Sequence, residues 1–226
     1  MSAVEKASRP RVAIVNFGMG NLFSVRQACL RAGLEPSITS KKAELLEADG
    51  VILPGVGAFG RAMETLREQG LVSVLKDLAA AGRPFMGICL GLQLLFDESI
   101  EFGRHEGMAI FAGQVVRLEP GIGPAGRPLK IPEIGWKPLR PPSGRGWDGS
   151  LLEGLPEGAH MYFVHSFHAL AAKSESVLAI TPFGDMNYCA AVQQGRLFAC
   201  QFHPERSGPV GLKVYENFRK MILSGR

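Results

Sequence analysis

Cys89 stands between two glycines in Gly87-Ile88-Cys89-Leu90-Gly91, where a short apolar run meets an apolar pattern of helical spacing. This is the thiol form of the nucleophile elbow, a tight strand-to-helix turn. Small residues two positions to either side let the chain turn without side-chain clash and leave the sulfur exposed at the end of a strand. A helix starting near Leu90 would aim its positive end at that sulfur and favour thiolate, the reactive form. Taken alone, the pentapeptide is equally compatible with an inert core cysteine. A second motif separates the two readings. The run Leu197-Phe198-Ala199-Cys200-Gln201-Phe202 ends in His203-Pro204-Glu205. Proline biases the preceding residue toward extended backbone, and in extended chain positions i and i+2 project to the same side. The imidazole and the carboxylate can therefore meet, although by themselves they would read as a solvated turn. A thiol nucleophile needs a base, and the base needs a group that fixes its tautomer. Cys89, His203 and Glu205 fill the three roles.

The elements that must position these groups are legible upstream. Residues 12–17, 37–40 and 50–53 read as strands, residues 22–32 as a helix, and residues 61–81 as a helix broken near Gly70. Such alternation predicts an open, mostly parallel sheet with helices on both faces. Ligands then sit beyond the carboxyl ends of the strands, which is where the motifs fall. After Gly107 the segments 114–118, 134–139, 161–169, 177–181, 190–193 and 197–202 read as added strands, and a last helix spans 210–223. Gly- and Pro-rich stretches at 120–128 and 141–149 read as loops. One domain over 11–226, preceded by a flexible extension at 1–10, accounts for the whole chain.

Composition excludes several classes. The chain has 226 residues, 46% hydrophobic and 20% charged, the balance of an ordinary soluble globule. A net charge of +4 with scattered basic residues does not argue for nucleic acid. No apolar run is long enough for a membrane span, and residues 1–10 lack the apolar centre of a signal peptide. Four cysteines, Cys29, Cys89, Cys189 and Cys200, show no paired spacing, which suits a reducing cytoplasm; Cys29 and Cys200 read as core. No cluster has metal-ligand spacing, so no metal and no cofactor are expected. Gly18-Met19-Gly20 lacks the third glycine of a dinucleotide loop, having Phe23 there.

The two motifs together resemble class I, triad-type glutamine amidotransferases. Gly18-Met19-Gly20-Asn21-Leu22-Phe23-Ser24-Val25, Pro54-Gly55-Val56-Gly57-Ala58-Phe59-Gly60, Tyr162-Phe163-Val164-His165-Ser166-Phe167 and residues 201–208 narrow the resemblance to the glutaminase subunits of imidazole glycerol phosphate synthases. It runs from about residue 11 to 222, and implies a flavodoxin-like fold with C-terminal strand additions. It also implies hydrolysis of L-glutamine in a heterodimer with a (β/α)8 cyclase that consumes the ammonia in histidine biosynthesis. A glutaminase serving another acceptor synthase, or a non-catalytic partner keeping the fold, are the competing readings.

Attack on a carboxamide generates an oxyanion, and each preorganised donor to it is worth about 3 to 4 kcal/mol. The N–H of Leu90 is one expected donor. The second is expected from Gly55, Val56 and Gly57, where glycines let the backbone reorient; the resemblance places it there too. Gln93, one helical turn after Cys89, can face the same cavity, and the resemblance gives it a role in holding glutamine. His165, Ser166 and Phe167 match the segment whose backbone grips the amino acid. No carboxylate lies beside His165 in the sequence, so it is not the expected base, and structural or interface duty is expected instead. Asn21, Trp136, Lys137 and Arg206 match positions that face the cyclase. The sequence departs from the family pattern at Asn16-Phe17, where an acidic residue and tyrosine are common. Glu133 and Lys137 also stand where histidine and asparagine are usual, and an ion pair between them would compensate.

Overall fold

The computed structural model describes residues 9–123 and 126–225. Most of the expected extension, residues 1–8, lies outside the described residues. Pro10 is buried and its carbonyl accepts the Glu35 N–H at 2.9 Å, so it belongs to the fold. The chain runs β1 (Arg11–Val15), α1 (Leu22–Arg31), β2 (Glu35–Thr39), α2 (Lys42–Glu47), β3 (Gly50–Gly55), α3 (Phe59–Glu68), α4 (Leu71–Ala80), β4 (Phe85–Cys89) and α5 (Leu90–Gln93). It continues with β5 (Phe96–Ser99), β6 (His105–Glu106), β7 (Phe111–Arg117), β8 (Glu133–Pro138), β9 (His160–His165) and β10 (Phe167–Ala171). Then come β11 (Val177–Phe183), β12 (Met186–Gln194), β13 (Leu197–Cys200) and α6 (Gly208–Leu223).

The central sheet has seven strands in the order β11-β12-β13-β4-β3-β1-β2. The five from β13 to β2 pair in parallel, and β12 and β11 add antiparallel at one edge. Every residue of β3 and β4 is buried, as expected for parallel strands covered on both faces. Alternate residues of β1 serve opposite faces. Val12 and Ile14 pack in the core with Val25, Cys29, Val214 and Phe218 of α1 and α6, whereas Ala13 and Val15 pack in the core with Phe59, Met63 and Leu75 of α3 and α4. The break near Gly70 is real: it adopts φ +63° between α3 and α4.

Several expectations needed correction. The helix after Cys89 is a single turn, followed by a turn and then β5. Leu92, Leu94 and Leu95 are apolar because they are buried on all sides, not because a long amphipathic helix follows. The strand-like stretch 161–169 is two strands in different sheets: β9 pairs β8, and β10 pairs β7. Alternation continues through Ser166 while the hydrogen-bonding partner changes, and periodicity cannot report a partner. The strand-rich region also begins earlier than Gly107, at β5, and α2 went unexpected.

The glycines of the elbow are steric necessities. A Cβ on Gly91 would lie 1.8 Å from the Leu53 carbonyl oxygen, and one on Gly87 would lie 3.0 Å from both Ala199 Cβ and Gly91 O. Leu53 O is backbone inside β3 and cannot move aside. Gly91→Ala is therefore expected to cost about 3 kcal/mol or more through overpacking, read as a lower midpoint in urea unfolding. An unchanged midpoint would mean that α5 does not seat against β3.

Candidate active site

Cys89 ends β4 with φ +55° and ψ −110°, a conformation that L-residues rarely hold. Such strain costs of order 1–3 kcal/mol and persists only where the surroundings over-determine it. Here β3 and β13 flank β4 on either side. The α5 turn is closed by Leu94 N–H to Leu90 O and Leu95 N–H to Leu92 O, and its first N–H groups, Leu90's among them, have no intrahelical acceptor. A one-turn helix contributes a small dipole, so the expected electrostatic help from a helix end reduces to these N–H groups.

The parallel register places Gly55 directly opposite Cys89. The chain leaves β3 through Val56, which is exposed, and Gly57 at φ +115°. A side chain there would be strained by φ and would meet Met19 Cε at 2.5 Å. The segment expected to supply the second oxyanion donor thus borders Cys89, in a conformation suited to glycine.

His203 and Glu205 meet, with Nδ1 2.8 Å from Oε1. The reason differs from the expected one. His203 itself is extended, but Pro204–Arg206 is a turn of 3-10 helix rather than extended chain. The turn is pinned by His203 N–H to Tyr162 O at 2.8 Å and by Ser207 Oγ, which donates to His203 O and accepts from Tyr162 N–H. Burial would push the His203 imidazole down, but the Cys89 sulfur and the Glu205 carboxylate outweigh it and raise its pKa to about 10. His203 Nε2 is buried and has no aligned hydrogen bond with any described group, so the influence of Cys89 on it is one of proximity. The other three thiols are silenced. Burial pushes Cys29 and Cys189 up to about 12, and Cys200 well above its ordinary value.

A residue not singled out from the sequence completes the surroundings of the sulfur. Gln201 Nε2 donates to Cys89 Sγ at 3.6 Å, and its Oε1 accepts from Gln93 Nε2 at 3.0 Å. Gln93 spends its other amide hydrogen on Phe167 O at 2.8 Å. The only sequence signal for Gln201 was its place two residues before His203. Ser166 O accepts from Leu118 N–H, and the Phe167 ring packs on Phe102 at 6.4 Å. His165, expected to lack a carboxylate, has one brought from far along the chain. Its Nε2 lies 3.4 Å from Glu133 Oε2 and 2.9 Å from the Tyr188 hydroxyl. The anticipated pair of Glu133 and Lys137 is present at 3.0 Å.

The four positions expected to face a partner are not equivalent. Asn21 caps α1, its side chain accepting from Ser24 N–H at 3.4 Å. Trp136 is 52% exposed and meets Tyr162 edge-on at 6.1 Å, while the Arg206 guanidinium lies 4.4 Å from the same Tyr162 ring centre. Lys137 turns inward instead, toward Glu133 and the Phe183 ring. Among the described residues, no group of three or more His, Cys, Asp or Glu could hold a metal ion, and no helix is long and apolar enough to cross a membrane.

The raised His203 pKa carries a stability prediction. The folded protein keeps a proton on His203 that the unfolded chain releases above about 6.5. The stabilisation is complete below that value and is lost as pH rises through about 10. The urea midpoint is thus expected to fall between about pH 7 and about pH 9, and to fall less in Glu205→Gln, which lacks the carboxylate beside Nδ1. Equal slopes in the two proteins would contradict the assigned cause.

Comparison with known proteins agrees with this geometry. The family model described as glutamine amidotransferase class-I matches residues 13–221. The imidazole glycerol phosphate synthase subunit HisH of Moorella thermoacetica is 42% identical over 211 residues, covering 93% of this chain and 95% of that protein. The subunit of the same name from Geobacillus kaustophilus is 44% identical over 209 residues, covering 92% and 95%. A solved glutamine amidotransferase superposes with a TM-score of 0.70 at 22% identity, covering 93% of this chain and 98% of the other, which supports the fold alone. An elbow cysteine, a buried His-Glu pair behind it and this kinship place the chain in the class I glutamine amidotransferase family, among the HisH-type subunits.

Proposed function

We propose that this chain is the glutaminase subunit of an imidazole glycerol phosphate synthase, releasing ammonia from L-glutamine for a (β/α)8 cyclase partner in the cytoplasm. The observation that carries the chemistry is the buried His203–Glu205 pair at 2.8 Å beside the strained Cys89. Cys89 sulfur attacks the carboxamide carbon and His203 gives a proton to the departing nitrogen, leaving a γ-glutamyl thioester and ammonia. Water, deprotonated by His203, then cleaves the thioester to glutamate and restores the thiol. Glu205 holds the imidazole by Nδ1 and stabilises its charged form, as in other triads. Leu90 N–H and the Gly55-Val56-Gly57 backbone are the proposed oxyanion donors. Gln93 and the His165-Ser166-Phe167 backbone are the proposed walls of the glutamine site.

The surface around the site supports a protein partner. Ile134 and Trp136 project from the exposed face of β8, and Phe23 is 71% exposed. A groove of about 440 Å³ between α1 and the Pro204-Glu205 turn is lined by Phe23, Gln27, Arg31 and Leu212. Exposed aromatics with an arginine beside a reaction centre are the composition of an interface core. The product is a small, diffusible base, so a sealed contact there would keep it from escaping. The kinship set out above favours the cyclase over another acceptor synthase.

Cys89→Ala is expected to abolish glutamate release while the complex still turns over with free ammonia; Cys29→Ala, Cys189→Ala and Cys200→Ala should each retain glutaminase activity. Glutamate release by Cys89→Ala at the wild-type rate would remove the triad assignment. Partner control follows from Gly57, whose backbone can hold two states, of which one offers a donor. The chain alone should be slow, the complex faster, and the complex with the cyclase's ribonucleotide substrate fastest, each tenfold step being about 1.4 kcal/mol. Arg206→Glu should weaken this activation more than it lowers stability, since an exposed charge contributes little to the fold. Equal rates under all three conditions would defeat partner gating.

A further inference from the structure

Glu133 is almost fully buried, an unusual place for a carboxylate unless it is paired. One of its oxygens makes a short hydrogen bond with the Tyr188 hydroxyl and lies 3.4 Å from His165 Nε2; the other lies 3.0 Å from Lys137 Nζ. His165 Nδ1 in turn lies 3.0 Å from Phe167 O. That carbonyl also accepts from Gln93, which orders Gln201 against the Cys89 sulfur.

Counting protons narrows the charge state of this cluster to two choices. Phe167 O can only accept, so His165 Nδ1 carries a proton. The Tyr188 hydroxyl has one proton and two partners, Glu133 and His165 Nε2 at 2.9 Å. One of those partners must supply a proton of its own. The choice is between an imidazolium facing a carboxylate and a neutral imidazole facing a carboxylic acid. The Lys137 ammonium beside the second oxygen selects the carboxylate, because an adjacent cation stabilises the charged form. Of the other titratable groups near Tyr188, Cys89 belongs to the candidate site and Cys189 is kept neutral by burial, which pushes its thiol up to about 12; His168 packs on the Tyr188 ring at 5.4 Å. Burial first, and His165 second, push it down to about 4, so it adds no charge.

We propose that Glu133 is a positioning residue for the glutamine site, holding His165 as an imidazolium that fixes the Phe167 carbonyl and, through Gln93 and Gln201, the surroundings of Cys89. Both lone pairs of that carbonyl are then taken, one by a charge-assisted donor that is stronger than a neutral one. Ser166 and Phe167 lie where the chain passes from β9 to β10, a junction between two sheets. Glu133 therefore tethers the site wall where it crosses from one sheet to the next, at Ser166 and the first residue of β10. The substrate named here rests on the glutaminase reading, whereas the charge state of His165 does not.

The test uses the complex with the cyclase partner and two variants, Glu133→Gln and Tyr188→Phe, the second of which removes one hydroxyl and keeps the ring. Loss of a single hydrogen bond behind the site should raise the KM for glutamine about tenfold in each variant. The kcat should fall less than about threefold, since the triad is untouched. Nitrogen-15 NMR of the histidines should find both ring nitrogens of His165 protonated at neutral pH in the wild type, and one in Glu133→Gln. A neutral His165 in the wild type would overturn the proposal. So would an unchanged KM in Tyr188→Phe, whatever becomes of Glu133→Gln. Absence of any glutamine turnover in the wild-type complex would instead remove the glutaminase reading, and the NMR result would still decide the charge state.

Discussion

The backbone of Cys89 is held at φ +55° because β4 has no freedom to relax. Its neighbours β3 and β13 hydrogen-bond it in parallel on either side, and Gly87 and Gly91 have filled the space that a side chain would need. Everything at the site follows from that clamp. Register with β3 puts Gly55 beside Cys89, so the chain leaving β3 has to pass close to it. Register with β13 pairs Cys200 with Ile88, so the next residues along that strand, Gln201 to Glu205, overhang the sulfur. A slip of one residue in either pairing would carry His203 or the Gly55-Val56-Gly57 segment to the wrong face.

Charge is distributed around the nucleophile with similar economy. Three of four thiols are kept neutral by burial, and the Cys89 sulfur and the Glu205 carboxylate together favour a proton on His203. The immediate ligands of the sulfur are otherwise uncharged: the Gln201 amide and the Val164 carbonyl at 4.0 Å. Charge is instead placed further back, in the Lys137, Glu133 and His165 group behind the site wall. Burying an ion pair in this way is costly unless its remaining hydrogen-bonding capacity is met. Tyr188 and Phe167 O meet most of it.

Strand β8 links the interior of the site to its surface. Its alternation sends Ile134 and Trp136 outward and Glu133 and Lys137 inward. The outward residues join Tyr162 and Arg206 in an aromatic and cationic strip next to His203. A protein seated on that strip would press on the same strand that carries Glu133. Contact outside and geometry inside are thus joined by a single peptide segment, with no long path required.

The candidate site was legible in the sequence because residue type and close spacing mark it. Glycines two residues either side of Cys89 have one steric purpose, whereas His203 and Glu205 meet through a 3-10 turn pinned by Tyr162 and Ser207, which their spacing did not specify. The alternating parallel core was readable for the same reason: buried strands such as β3 and β4 are apolar throughout, and α3 and α4 carry the helical period between glycine breaks. Tertiary structure alone decided the rest. It cut the helix after Cys89 to one turn, divided residues 161–169 between two sheets, and brought Glu133 and Tyr188 to His165 across 32 and 23 residues of chain. It also gave Gln201 its contact with the sulfur from a position 112 residues away. Hydrophobic period reports which residues are buried; which polar groups are buried together depends on strand order and register, and those are set by the whole sheet.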